Sequence, residues 1–262
     1  MDIIRQYKNV KYVWLIVFLL LALSSCARAP GRKTLPPTVR PQMQPQVTPE
    51  IFPPGMRSTI VHVVAPGETV WRISKMYDVS IEHIVKENRL KNSSMLEKGQ
   101  RLNISQAAPV RPVVTLYPSK KWKYIIIHHS ATDSGSALGF DKSHQARGFN
   151  RGLGYDFVIA NGTADKLDGQ IEVSPRWIKQ EDGAHCKAGN MNCRAIGICL
   201  VGNFSQERVS AKQMDSLIYL VNRLSKYYNI PKNNILGHGQ VKGANTECPG
   251  TKFPWAEFKN KL

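Results

Sequence analysis

The chain has 262 residues, with 36 Lys+Arg against 19 Asp+Glu and a formal charge of +17. That length holds one or two domains, and that charge suits an anionic partner: a membrane surface, nucleic acid or an acidic wall polymer. No Arg-rich helix, basic zipper or RNA-binding aromatic motif accompanies it, so nucleic acid is not an expected partner. At the start of the chain, Arg5, Lys8 and Lys11 precede an apolar stretch from Tyr12 to Leu23. A positive start and an apolar run too short to span a bilayer comfortably predict an export signal over residues 1–25. Residues 26–59 are rich in proline, from Pro30 to Pro54, and lack apolar periodicity. They predict a solvated tether without a packed core.

Ordered structure is expected from residue 60. Ile60–Val64 reads as a strand, and Pro66-Gly67-Glu68-Thr69 as a turn in which Thr69 caps a helix carrying Val70, Ile73 and Tyr77. Ser80 caps a second helix with Ile81, Ile84 and Val85 on one side, and Arg101–Ile104 closes the unit as a strand. Residues 60–105 thus form a βααβ module with little core of its own. A linker follows over 106–121, with Pro109, Pro112 and Pro118.

The remainder, 122–262, alternates strands and helices. Trp122–Ile127, Tyr155–Ile159 and Ile196–Val201 are apolar nearly throughout, as strands covered on both faces tend to be. Asp141–Phe149 and Ser210–Tyr228 suit helices, and Ile235–His238 is one more short strand. The expected fold class is α/β, a mixed and mainly parallel sheet flanked by helices.

His128, His238 and Cys248 lie at the ends of these elements. Two histidines and a cysteine form a donor set for a catalytic metal, which typically takes three protein ligands. The spacing alone leaves other readings open: histidines hydrogen-bonded at strand ends, and an inert or disulfide-bonded cysteine. His128 and His129 are neighbours on a strand and should point to opposite faces, so they are not expected to chelate one metal together.

Three resemblances sharpen these expectations. Leu23-Ser24-Ser25-Cys26 resembles a bacterial lipobox, which implies lipidation of Cys26 and an export route. More than one acyl chain suffices for stable attachment to a cell-envelope membrane. The outer membrane facing the periplasm is the expected site. VHVVAPGETVWRISKMYDVS, ENRL and LEKGQRLNI resemble the LysM module. That resemblance implies binding of the glycan strands of peptidoglycan, in a groove between the turn that holds Gly67 and Thr69 and the loop after Asn88.

YIIIHHSAT, GLGYDFVI, GAHCKAGN, AIGICLVGNF and GHGQVKGANTECPG occur in that order over 123–262. As a set they resemble the zinc-dependent N-acetylmuramoyl-L-alanine amidases, which include phage lysozyme-amidases and animal peptidoglycan recognition proteins. The resemblance implies Zn2+ held by His128, His238 and Cys248, with His129 turned away as a packing residue. It also implies a catalytic Tyr155 and a His185 that lies in the substrate cleft. The implied reaction is hydrolysis, by a zinc-activated water, of the amide joining N-acetylmuramic acid to L-Ala of the stem peptide.

The chain departs from two branches of the family. Where phage enzymes place a lysine two residues before the cysteine ligand, this chain has Thr246, a hydroxyl donor without charge. Where the cytosolic anhydro-muropeptide amidases carry a catalytic Glu and an Asp ligand, it has Cys199 and Cys248. Cys199 is read as a buried small hydrophobe. His144 and Arg147, on the helix before Tyr155, either face the muropeptide or are solvent-exposed. In an exported protein, Cys186 and Cys193 are a candidate disulfide closing the loop beside His185. The expected protein is a monomeric, lipid-anchored amidase; the alternatives are a wall-binding protein on the same fold without catalysis, and a zinc peptidase acting within the stem peptide.

Overall fold

Two strands, β1 (Ser58–Val63) and β2 (Arg101–Ala107), pair antiparallel and enclose two short helices, α1 (Val70–Tyr77) and α2 (Ile81–Glu87). Both helices start where the sequence places a hydroxyl. The Thr69 side chain accepts from Arg72 N, and Ser80 accepts from His83 N. Asp78, in the left-handed region at φ 51°, ends α1. The core of this module is small: Val64, Val70, Ile73, Met76, Ile84, Leu102 and Ile104, joined by Val113 from beyond β2. The computed structural model describes residues 56–92 and 96–262. The expected export signal, Cys26 and the proline-rich segment up to residue 55 lie outside the described residues.

The C-terminal domain is built on five strands in the order β5-β4-β6-β3-β7. They are β3 (Tyr124–His129), β4 (Phe157–Asn161), β5 (Asp168–Val173), β6 (Ala195–Leu200) and β7 (Ile235–Gly237). β3 runs parallel to β6 and β7, and β4 parallel to β6; only the edge strand β5 is antiparallel. The sheet is therefore mixed and mainly parallel, as its apolar strands predict. Helices α3 (Ala137–Ala146), α4 (Pro175–Lys179), α5 (Ala211–Tyr228) and α6 (Trp255–Asn260) flank it.

Alternation along the strands separates two faces. Ile125, Ile127, Ile196, Ile198, Leu200, Phe157 and Ile159 join Leu217, Leu220, Val221 and Leu224 of α5 in the main core. Ile126 instead joins Cys186, Met191, Ala195 and Val241 in a separate cluster, and Val158 joins Ala137, Leu153 and Val201 in another. His128, two residues from Ile126, follows it to the face away from α5.

Several boundaries differ from expectation. The helix before Tyr155 begins at Ala137 rather than 141, because Ser136 accepts from Gly139 N and caps it there. The second strand of the apolar set begins at Phe157, leaving Tyr155 in the preceding loop. Strand β5, α4 and α6 were not expected, since each is short and carries little periodicity. Nor is the segment 106–121 a free linker. Val113 and Val114 are buried in the cores of the two parts, Trp177 Nε1 donates to Thr115 O at 2.8 Å, and Tyr228 Oη donates to Tyr117 O at 2.9 Å.

Candidate metal centre

Three chain segments converge at the C-terminal edge of β3. β3 ends in His128 and His129, β7 leads into the turn that starts at His238, and the loop after it returns to Cys248. Gly239 N donates to Cys248 O at 2.8 Å, which ties the last two segments together. The result is that one donor atom each from His128, His238 and Cys248 lie within 4.8 Å of one another.

His128 is held from behind. Its Nε2 lies 3.0 Å from His185 Nδ1, and His185 Nε2 lies 3.4 Å from Ala195 O. A carbonyl can only accept, so His185 carries its proton on Nε2 and offers the Nδ1 lone pair to His128. His128 then carries its proton on Nε2 and turns the bare Nδ1 toward Cys248 Sγ, 3.6 Å away. Tetrahedral zinc bonds of about 2.1 Å to nitrogen and 2.3 Å to sulfur put N and S roughly 3.6 Å apart. The donor set therefore fits a soft divalent cation, and the proton on the far nitrogen of His128 has an acceptor, here a histidine nitrogen where such sites more often use a carboxylate or carbonyl.

Electrostatics agree with neutral donors. Burial, then the neighbouring His185 and His238, hold the His128 imidazole well below its ordinary range. Burial lowers His238 too. Burial pushes the Cys248 thiol up to about 12, against the hydrogen bond from His129 N. A cation at Sγ reverses that sign and favours the thiolate.

His129 turns the other way. Its Nδ1 accepts from Phe204 N at 3.1 Å, on the face of α5, while only its backbone N–H reaches Cys248 Sγ, at 3.4 Å. The two adjacent histidines are thus split by the pleat.

Tyr155 stands beside the cluster, partly exposed, its ring centroid 5.2 Å from that of His128. Cys199, then burial, then Cys248 raise its phenol well above the usual value. It stays protonated and can donate. Thr246 is exposed, and its hydroxyl oxygen accepts from Cys248 N at 3.2 Å. Accepting that bond leaves the hydroxyl proton free to donate. Cys199 is fully buried, as a small hydrophobe in its strand.

Some expectations need correction. His185 is buried behind His128 with both ring nitrogens engaged, so it supports a cluster histidine instead of lining an open cleft. Gly197 makes room for it: a Cβ there would lie 2.5 Å from the His185 ring. His144 is not solvent-exposed; its ring centroid lies 5.6 Å from that of Tyr155. It is buried, and its Nδ1 accepts from Gly154 N at 2.9 Å. Arg147 is exposed, with its guanidinium 5.3 Å from the Phe149 ring centroid. Cys186 and Cys193 are free thiols: one points to Ala188 O and the other to Asn190 O, each within its own turn. Gly67 and Thr69 are exposed; the Thr69 hydroxyl oxygen caps its helix, and a Cβ on Gly67 would meet Pro175 and Ile178 of the C-terminal domain.

Four residues not expected at the site also shape it. Asp141 Oδ1 accepts from Leu153 N at 2.9 Å, Arg176 Nε donates to Leu153 O at 2.7 Å, and the Asp156 carboxylate accepts from Gly197 N at 2.8 Å. Lys98, from the first module, pairs with Asp141 at 2.9 Å. The one sequence signal was the Gly-Leu-Gly run before Tyr155, which marks close backbone approach.

Comparison with known proteins places the chain. A family model described as N-acetylmuramoyl-L-alanine amidase matches residues 118–251, half of the sequence. The chain belongs to the N-acetylmuramoyl-L-alanine amidase family. A LysM domain model matches residues 62–105. The amidase-family domain is 30% identical over 145 residues to peptidoglycan-recognition protein SC2 of Drosophila simulans, covering 52% of this chain and 72% of that one. It is 32% identical over 108 residues to peptidoglycan-recognition protein 2 of Holotrichia diomphalia; this match covers 38% of the chain and about half, 52%, of that relative's length. Among solved structures, the amidase LysC of Clostridium intestinale is 35% identical over 58% of this chain and 94% of its own, with a TM-score of 0.46.

Proposed function

We propose that this protein hydrolyses the amide between N-acetylmuramic acid and L-Ala of peptidoglycan, at a zinc centre held by His128, His238 and Cys248. The observation that carries the reading is the convergence of these three donors within 4.8 Å, beside a protonated Tyr155. A bound Zn2+ supplies a Lewis acid for the carbonyl and brings the pKa of a water from about 16 to about 7.

The chain's own residues supply the rest. His185 fixes the tautomer and aim of His128. Tyr155 donates to the oxygen on which negative charge develops, with the Thr246 hydroxyl as a second, uncharged donor. Such preorganised donors act most strongly where charge grows between ground state and transition state. The LysM module adds affinity for the glycan strand and raises the local concentration of stem peptides. Export and a lipid on Cys26 attach the protein to an envelope membrane, within reach of the wall.

The test is digestion of purified sacculi by metal-replete protein, with mass analysis of what is released. Intact stem peptides beginning with L-Ala, lost on chelation and restored by Zn2+, are the expected result. Protein that pellets with sacculi yet releases nothing would make it a wall binder. Fragments cut within the stem would make it a peptidase.

A further inference from the structure

The segment carrying Tyr155 belongs to no strand or helix, yet its backbone is pinned on every side. Leu153 N donates to Asp141, Leu153 O accepts from Arg176, Gly154 N donates to His144, and Gly154 O accepts from Ala184 N at 2.9 Å. Gly152, at φ +64°, lets Asp141 come this close: a Cβ there would lie 1.9 Å from Asp141 Oδ1. Two further supports come from the LysM module. Ala65, in the turn after β1, is buried in one cluster with Leu153, Ala137, Val158 and Val201, against which Tyr155 packs. Lys98 Nζ lies 2.9 Å from Asp141 Oδ2, so the carboxylate that holds Leu153 is itself held by the module.

The module is seated for that task. Arg72, buried on α1, donates to Ile171 O at 3.0 Å and to Val113 O at 3.1 Å, while it pairs with Glu68 at 2.5 Å. Glu68 accepts in turn from Ala65 N at 2.9 Å. From the other side, Lys166 donates to Val63 O at 2.7 Å and pairs with Glu172 at 3.6 Å. A buried cation with no partner on the opposite surface would be costly, so these contacts fix one seating of the module on the domain.

We propose that the LysM module is a working part of the amidase site: through Ala65 and Lys98 it positions the Leu153–Tyr155 segment. Lys98 is a positioning residue acting through Asp141, and it touches no substrate. This inference rests on the proposed amidase reading for its effect on turnover. Its physical link, from Lys98 to the Leu153 amide, stands apart from that reading.

The experiment uses the full chain with Lys98→Met and Lys98→Arg. Lys98 is 47% exposed, so neither change empties a core. Two quantities are read: hydrogen exchange of the peptide spanning 149–156, and turnover of a single-sugar N-acetylmuramyl peptide that offers no glycan strand to the module. Lys98→Met should exchange faster over that peptide. It should also lose about tenfold in kcat, as small misplacements of a reacting group do, with KM and bound zinc unchanged. Lys98→Arg should restore both. Unchanged exchange in Lys98→Met, or faster exchange at wild-type kcat, overturns the inference. If the wild type turns nothing over, the amidase reading falls, and exchange alone decides whether the module holds this segment.

Discussion

At the scale of single residues, the site separates groups that bind, donate and orient. Cys248→Ser should abolish stoichiometric zinc in purified protein and stem-peptide release with it, because a serine hydroxyl is a poor replacement for a thiolate on zinc. Elemental analysis beside the sacculus assay checks this. Tyr155→Phe removes one donor and keeps the ring. It should retain zinc and lose about 10²–10³ in kcat, on the order of what one oxyanion donor contributes. Asp156 makes a different prediction. Burial pushes its carboxyl up to about 7, against the Gly197 N–H and the charges of Lys121 and Arg176, and its Oδ1 accepts no hydrogen bond among the described residues. The folded protein therefore binds a proton there that the unfolded chain, at an ordinary pKa of about 3.9, has released. The stability this lends is fully present below about pH 4 and is lost as pH rises through about 7. Asp156→Asn should flatten that slope in thermal melts between pH 4 and pH 8; an equal slope in the variant would remove Asp156 as its cause.

At the scale of elements, the long parts of the fold were legible and the short ones were not. Helix α5 shows a three-and-four spacing of Met214, Leu217, Val221 and Leu224, and a capping box in which Ser210 and Gln213 each take the other's backbone N–H. Ser210→Ala should cost about 1 kcal/mol, and Leu217→Ala, fully buried, about 2–5 kcal/mol, both measurable by denaturant titration. The three candidate donors each follow an apolar strand or precede a proline, a position that left other readings open until the family resemblance singled them out. The pleat then separates His128 from His129 by the alternation that any strand imposes. What could not be read were the roles of His144 and His185. Both sit in polar-looking stretches, yet each is buried against a loop, and their partners are a backbone N–H and another histidine ring from distant positions. A backbone donor leaves no mark in a sequence. The loop of Cys186 and Cys193 is similar: its spacing suits a bridge, but left-handed Gly189 and Asn190 turn the chain so that each thiol meets a local carbonyl.

At the scale of the whole molecule, the two modules that the sequence separates share a buried ionic seam. Burial alone would raise the Glu68 carboxyl. The hydrogen bond and charge of His62, with Arg72 and the Ala65 N–H, outweigh it and bring it down to about 2. A carboxyl lowered on folding lends stability that is fully present above its ordinary value near 4.3 and is lost as pH falls toward 2. Glu68→Gln should therefore melt well below wild type at pH 7, and the gap should close as the pH approaches 2; a gap constant with pH would deny the Glu68 cluster its ionic character. The segment 106–121 completes the union. Pinned at Thr115 and Tyr117 by Trp177 and Tyr228, it has no slack to give. Lengthening it would add a surface bulge without extending the reach of the LysM module. Grafting a foreign LysM at this boundary would bring a surface that lacks Arg72, Lys98 and Ala65 against a domain shaped for them. The apparent splice point between two portable parts is, in this protein, an internal joint.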